Sequence, residues 1–203
     1  MSKVLLIYPY FRPPRDRSVF RFPPLGVSYL ASSLQAAGHD VKVLDCTFMK
    51  KEAAIQQAIN AHAEVVGIYC MVTMLEDCLW LARQLRLNTK LIVVGGPLAT
   101  CDPDAFVEDF DVVVRGEGEQ TLIELLNAWS GGTDLLTIPG ITRRNGDSKG
   151  EIISTPERTF TKDLDSLPFP ARQSLPNEEY IRFGKKQYGY SITTVMSTRG
   201  CPY

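Results

Sequence analysis

Five short runs constrain this chain more than any other feature: Lys3–Tyr8 (KVLLIY), 41–44, Val65–Tyr69, 91–94 and Val112–Val114. Each is almost continuously apolar. A strand with one wet face alternates apolar and polar residues, so unbroken runs imply burial on both faces. Segments with helical spacing separate them. Residues 25–37 carry Val27, Leu30, Ala31 and Leu34 on one stripe and stop at Gly38, and residues 50–61 carry Ala54, Ile55, Ala58 and Ile59. Further helices are expected over 76–87, 103–110 and 120–129. Strand–helix alternation of this kind predicts a doubly wound α/β fold, with a five-stranded parallel sheet in the flavodoxin-like order 2-1-3-4-5.

The pattern changes after Trp129. "RNGDSKG" marks the turn of a hairpin, "DLDSLPFPAR" is a proline-bearing connector, residues 177–183 suit a short helix, and 190–196 reads as a strand. The expected organisation is a ligand-binding Rossmann-like domain over 1–133, a hairpin and linker over 134–189, and the start of another domain over 190–203. Hydrophobic residues make up 44% of the chain, enough for a core, and the net charge of −1 gives no basic surplus for nucleic acid. No apolar run approaches the roughly 20 residues that span a bilayer. Five scattered cysteines form no disulfide framework, so a reducing cytoplasm is expected.

In such sheets ligands bind beyond the carboxyl ends of the strands. A dinucleotide needs G-x-G-x-x-G after the first strand; this chain has "PYFRPP", whose prolines lack N–H groups. A phosphate of a flavin mononucleotide finds no compact cradle there either. A phospho-acceptor domain needs an aspartate ending the third strand, where Tyr69 and Cys70 stand. "GEGE" would repel an anion. The loops that remain suit a large, mostly apolar ligand with many amide edges. Candidate contacts are Tyr8 and Pro9; Pro24, Leu25 and Gly26; Met71, Val72, Thr73 and Met74; Gly95, Gly96, Pro97 and Thr100; and Gly116, Glu117, Gly118 and Glu119. Gly95 and Gly96 leave the backbone open to a bulky ligand.

The segments "KVLLIYPY", "PPLGVSYLASSLQAAGHDVKVLD", "VVGGPLAT", "DVVVRGEGEQT", "DLDSLPFPAR" and "TTVMSTRGCPY" stand in this order along nearly the whole chain. Together they resemble the N-terminal region of the cobalamin-binding radical S-adenosylmethionine (SAM) family. The resemblance implies a cobalamin-binding portion of an enzyme that transfers a methyl group to an unactivated carbon or performs related radical chemistry. It further implies that Cys201 is the first thiolate of a Cys-x-x-x-Cys-x-x-Cys motif for a [4Fe–4S] cluster and SAM. That motif would be cut after Tyr203 and completed only in a full-length parent. Residues 190–203 would then open a truncated partial barrel, and the chain alone would be inactive. Cobalamin domains with Asp-x-His-x-x-Gly ligate cobalt through the histidine; aligning Gly26 puts Pro23 at that place and Arg21 at the aspartate. Base-off cobalamin without a histidine ligand is therefore expected, with His39 and His62 at the opposite edge.

Other readings stay open at this point. The chain could be a non-catalytic corrinoid-binding or interaction module, or a flavodoxin-like domain with another ligand. Glu117 and Glu119 either complement a helix N-terminus or accept from corrin amides. Thr73 caps a helix or touches ligand, and the Met71–Met74 stripe is packing or a ring floor. Gly95–Pro97 is a tight turn or a ligand platform. Arg12, Arg15, Arg17 and Arg21 form a solvated loop or reach the ligand phosphate or the missing barrel. Cys46, Cys70, Cys78 and Cys101 are buried or incidental thiols, with weak metal binding as the alternative for Cys70 and Cys101. An unpaired terminal strand would fray, dock on the first domain or pair with another copy.

Overall fold

The computed structural model describes residues 1–11, 21–146 and 150–200. Cys201, Arg12, Arg15, Arg17 and the tip of the hairpin turn lie outside them. Strands β1 (Lys3–Tyr8), β2 (Asp40–Asp45), β3 (Val65–Tyr69), β4 (Leu91–Gly95) and β5 (Val112–Val114) are all parallel, in the order 2-1-3-4-5. Because side chains alternate across a strand, each strand feeds two cores. Leu5, Ile7, Val66, Ile68, Ile92 and Val94 pack under α2 (Lys51–Asn60) and α3 (Leu75–Leu85). Val4, Leu6, Val65, Val93 and Val114 pack under α1 (Leu25–Ala36) and α5 (Gly118–Gly131). Helices on both faces account for the uniform apolar runs.

The hairpin forms as expected, with β6 (Ile141–Arg144) antiparallel to β7 (Ile152–Ser154), and it also joins the sheet. Val113 faces Thr142 and Val114 faces Ile141, giving a seven-stranded mixed sheet, 2-1-3-4-5-6-7. Buried Thr155 Oγ1 accepts from Ile141 N at 3.0 Å and Arg115 donates to the Thr155 carbonyl, which binds the hairpin to the fifth strand.

Two expectations fail. Residues 191–196 form no strand. Their exposure alternates as in extended chain, but among the described residues no neighbouring strand offers a ladder, and β-branched composition alone does not make one. The segment docks instead. Arg172 donates to Thr193 Oγ1 at 3.1 Å and to the Thr194 carbonyl, and Thr194 Oγ1 donates to the Pro23 carbonyl at 3.3 Å. Second, Arg21 is no solvated loop residue. It is buried, donates to the Thr47 carbonyl at 3.1 Å, and stacks between Phe48 and Phe183. Phe183 belongs to α6 (Asn177–Tyr188), which runs five residues beyond the expected helix. The same helix places the Tyr180 hydroxyl 2.6 Å from Asp45 Oδ2 and 3.0 Å from Thr47 Oγ1. Burial pushes the Asp45 carboxyl above its ordinary range, against the hydrogen bonds of Thr47 and Tyr180.

Among the described residues no helix is long and apolar enough to cross a membrane.

Candidate functional site

Two glycines hollow out one face of the sheet. Leu6, Gly67 and Val93 stand in one row across three strands. In the next row on that face, Tyr69 stands beside Gly95. A Cβ on Gly67 would meet Leu6 Cδ2 at 2.9 Å, and one on Gly95 would sit 3.7 Å from Val114 Cβ. The opposite face has no such gap, since Ile7, Ile68 and Val94 fill it. The helices over the hollow also begin with glycine. Gly26 sits in the first turn of α1, where a Cβ would meet nothing within 4 Å. Gly118 opens α5, and its missing side chain lets Leu30 of α1 approach to what would be 3.0 Å.

The result is a cavity of about 490 Å³, running from the carboxyl edge of the sheet down between its face and the helices α1 and α5. Its walls are mainly apolar: Leu6, Val27, Leu30, Tyr69, Val93, Val114 and Leu122. Such a slot accepts a flat, largely apolar group and offers little to an anion. Its rim is built by the loops after β4 and β5. Gly96 has φ +107°, and a Cβ there would lie 2.7 Å from the Cys70 carbonyl oxygen, so only glycine fits. That turn starts a short helix, α4 (Pro97–Cys101), where only a loop was expected. Thr100 Oγ1 donates to the Gly96 carbonyl at 3.0 Å and accepts from Gly116 N at 2.9 Å, tying the two loops together.

Nine of the residues singled out in the sequence line this cavity: Gly26, Gly95, Gly96, Pro97, Thr100, Gly116, Glu117, Gly118 and Glu119. The others lie off it. Tyr8 packs against Tyr69 with ring centres 5.3 Å apart and planes tilted by 43°, and burial raises its hydroxyl pKa. Pro9 and Pro24 are buried and Leu25 half-buried. Met74 is buried just ahead of α3, Met71 is half-buried, and Val72 and Thr73 are exposed at the same sheet edge. Thr73 does not cap α3, whose N-cap position is Met74 with no side-chain cap. Glu117 and Glu119 do not face open space: both carboxylates engage Arg199, and Glu117 Oε2 also accepts from Thr161 N at 2.7 Å.

Several lining residues escaped the sequence reading. Gly67 had a signal, a glycine interrupting a buried strand, which often marks close approach of another group. Val27 and Leu30 read as core because the helical stripe cannot say which end lies over a hollow. Phe160 and Arg199 come from distant segments and carried no local signal. Cys46, Cys70 and Cys78 are buried and free, whereas Cys101 is exposed and borders the cavity. Among the described residues no group of three or more metal-ligating side chains occurs. His39 lies at the amino edge, with Nδ1 3.4 Å from Ser2 N, and His62 follows α2 at that same edge.

Comparison with known proteins adds a family. The model of the B12 binding domain matches residues 15–126. The chain is 32% identical over its full length to an uncharacterized methyltransferase, PH0819, of Pyrococcus horikoshii, and spans 44% of it. It is 29% identical, over 90% of its length, to an anaerobic magnesium-protoporphyrin IX monomethyl ester cyclase of Synechocystis, spanning 37% of that protein. Among solved structures it is similar to the radical SAM methyltransferase TsrM of Kitasatospora setae, with cobalamin and a [4Fe-4S] cluster bound. That match has a TM-score of 0.65 and 26% identity, and covers 77% of this chain and 31% of TsrM. The cobalamin-dependent SAM radical enzyme OxsB shares the fold, with a TM-score of 0.69 at 19% identity over 84% of this chain and 24% of OxsB. The chain thus spans less than half the length of these relatives.

Proposed function

Because this chain belongs to the B12-binding domain family, we propose that it holds cobalamin base-off at the carboxyl edge of its sheet. The observation that carries the reading is the glycine-floored, apolar slot opening at that edge. A base-off cobalamin presents a corrin with many amide edges and a released nucleotide tail with a flat apolar base. The slot suits the base, and the rim formed by Gly95, Gly96, Pro97, Thr100 and Gly116 suits a ring that must approach backbone closely. Pro23, where a ligating histidine would stand, offers no ligand, and both histidines lie at the far edge. Leu6, Val27, Leu30 and Leu122 would exclude water from the bound base, and Gly26 and Gly67 would give it room. Exposed Val72 and Thr73 and half-buried Met71 would lie under the ring.

Cobalamin bound here would supply a cobalt centre able to carry a methyl group. We assign the remaining chemistry, methyl transfer to an unactivated carbon or a related radical reaction, to an enzyme of the relatives' length. In it a barrel beyond residue 203 would bind [4Fe–4S] and SAM, with Cys201 as first cluster ligand. Buried free thiols suit a reducing compartment, and we place the protein in the cytoplasm. Titration with hydroxocobalamin, followed in the visible spectrum, tests the reading. A saturable spectral change is expected. No saturable change up to millimolar ligand would refute it.

A further inference from the structure

The carboxylates that open α5 face a cation from the far end of the chain. Arg199 donates to Glu119 Oε1 at 2.6 Å, and its other terminal nitrogen lies 3.6 Å from Glu117 Oε1. Its guanidinium carbon sits 5.5 Å from the centre of the Tyr29 ring. The three charged side chains are largely withdrawn from water, with 16% exposure for Arg199, 14% for Glu117 and 9% for Glu119. Withdrawing charges this far costs desolvation energy that only well-placed partners offset. Such a pair is weak evidence for stability; what it can supply is the definition of one arrangement. The arrangement it defines is at the cavity mouth, where Arg199 and Gly200 form part of the wall alongside exposed Phe160. Thr161, next to Phe160, is held by Glu117 as well, so one carboxylate pair gathers both segments that border the opening.

We propose that Arg199 is a positioning residue: gripped by Glu117 and Glu119, it latches the segment before Cys201 across the mouth of the pocket. Retention of the ligand and placement of the residues after Arg199 are then coupled. The proposal rests on the cobalamin reading of the pocket and deepens it. Coupling is reciprocal, so a latch that slows ligand escape is itself stabilised by the ligand. "GEGE" thereby gains a function: a receptor for a guanidinium within the same chain.

The test uses the full chain with two readouts. Trypsin cleavage after Arg199, identified by mass, reports opening of the latch without any ligand. The double variant Glu117→Gln/Glu119→Gln keeps the side-chain shape and removes the charges. Its cleavage should be about tenfold faster, the equivalent of roughly 1.4 kcal/mol. Hydroxocobalamin should slow cleavage of the wild type and not of the double variant. Separately, Arg199→Ala should release cobalamin about tenfold faster. Arg199→Lys, which keeps the charge and loses the fork, should fall between. Equal cleavage of wild type and double variant overturns the latch, whether or not cobalamin binds. Faster cleavage that ignores cobalamin, together with unchanged release from Arg199→Ala, overturns the coupling. A wild type that binds no cobalamin defeats the reading of the pocket, and the coupling with it. The cleavage comparison still judges the latch alone.

Discussion

Gly26→Trp separates the pocket from the fold. Gly26 lies in the first turn of α1, a Cβ there meets nothing within 4 Å, and the position borders the cavity. Replacing a helical glycine gains a few tenths to about 1 kcal/mol of intrinsic propensity, so stability should hold or rise slightly. An aromatic side chain of this size buries about 150–250 Å². If about 100 Å² of that is surface otherwise covering ligand, the loss at about 25 cal/mol/Å² is near 2.5 kcal/mol, or about sixtyfold in Kd. Gly96→Ala should behave in the opposite way. Its φ of +107° and the 2.7 Å approach to the Cys70 oxygen make any side chain a backbone problem. A cost of about 1–3 kcal/mol follows, lowering Tm by roughly 3–10 °C. The assay pairs thermal unfolding with cobalamin titration for both variants. A Gly26→Trp protein with wild-type Tm and unchanged Kd would refute the assignment of the slot.

Further outcomes concern the cofactor and the α6 clasp. The Co(II) form bound to the chain should lack nitrogen superhyperfine splitting in electron paramagnetic resonance; a triplet lost in His39→Ala/His62→Ala would contradict base-off binding without histidine. Tyr180→Phe removes the hydroxyl 2.6 Å from buried Asp45 and should cost about 1–3 kcal/mol in urea unfolding; an unchanged midpoint would mean the clasp is idle. Asp45 is held above its ordinary value of 3.8 by burial. The folded state therefore binds its proton more tightly than the unfolded chain. That contribution is complete below about pH 4 and is lost as pH rises through the folded value. The urea midpoint of Asp45→Asn relative to wild type should climb with pH over this window; a constant difference would show that Asp45 does not titrate there.

The parallel sheet was legible because its cause is local: apolar runs buried on two faces leave a direct trace. Order 2-1-3-4-5 followed from that trace and from the connection rules of such sheets. The hairpin was legible as a hairpin, but its pairing with β5 depends on Thr155 and Arg115, which meet only in three dimensions. Residues 191–196 misled because isoleucine, threonine and valine favour extended backbone whether or not a ladder is available. Arg21 misled in a similar way, since a proline- and arginine-rich stretch gives no sign of the Phe48 and Phe183 rings waiting for its guanidinium. In the candidate site Gly26, Gly95, Gly96, Gly116 and Gly118 were readable from their loops at the carboxyl edge, whereas Gly67, inside a buried strand, was passed over. The clamp on Glu117 and Glu119 was not readable, because Arg199 lies 80 residues beyond Glu119.

The central claim is spatial: the slot between the sheet and the helices α1 and α5 is where cobalamin is held. Hydrogen exchange of the wild-type chain, with and without saturating hydroxocobalamin, tests it directly. Amides in the first turn of a helix lack intrahelical partners and exchange readily unless something covers them. Protection should therefore appear at 26–30, 71–74, 95–100 and 116–122, and α2 and the body of α3 should exchange as before. Protection confined to 51–60 and 75–85, on the other face of the sheet, would contradict the account.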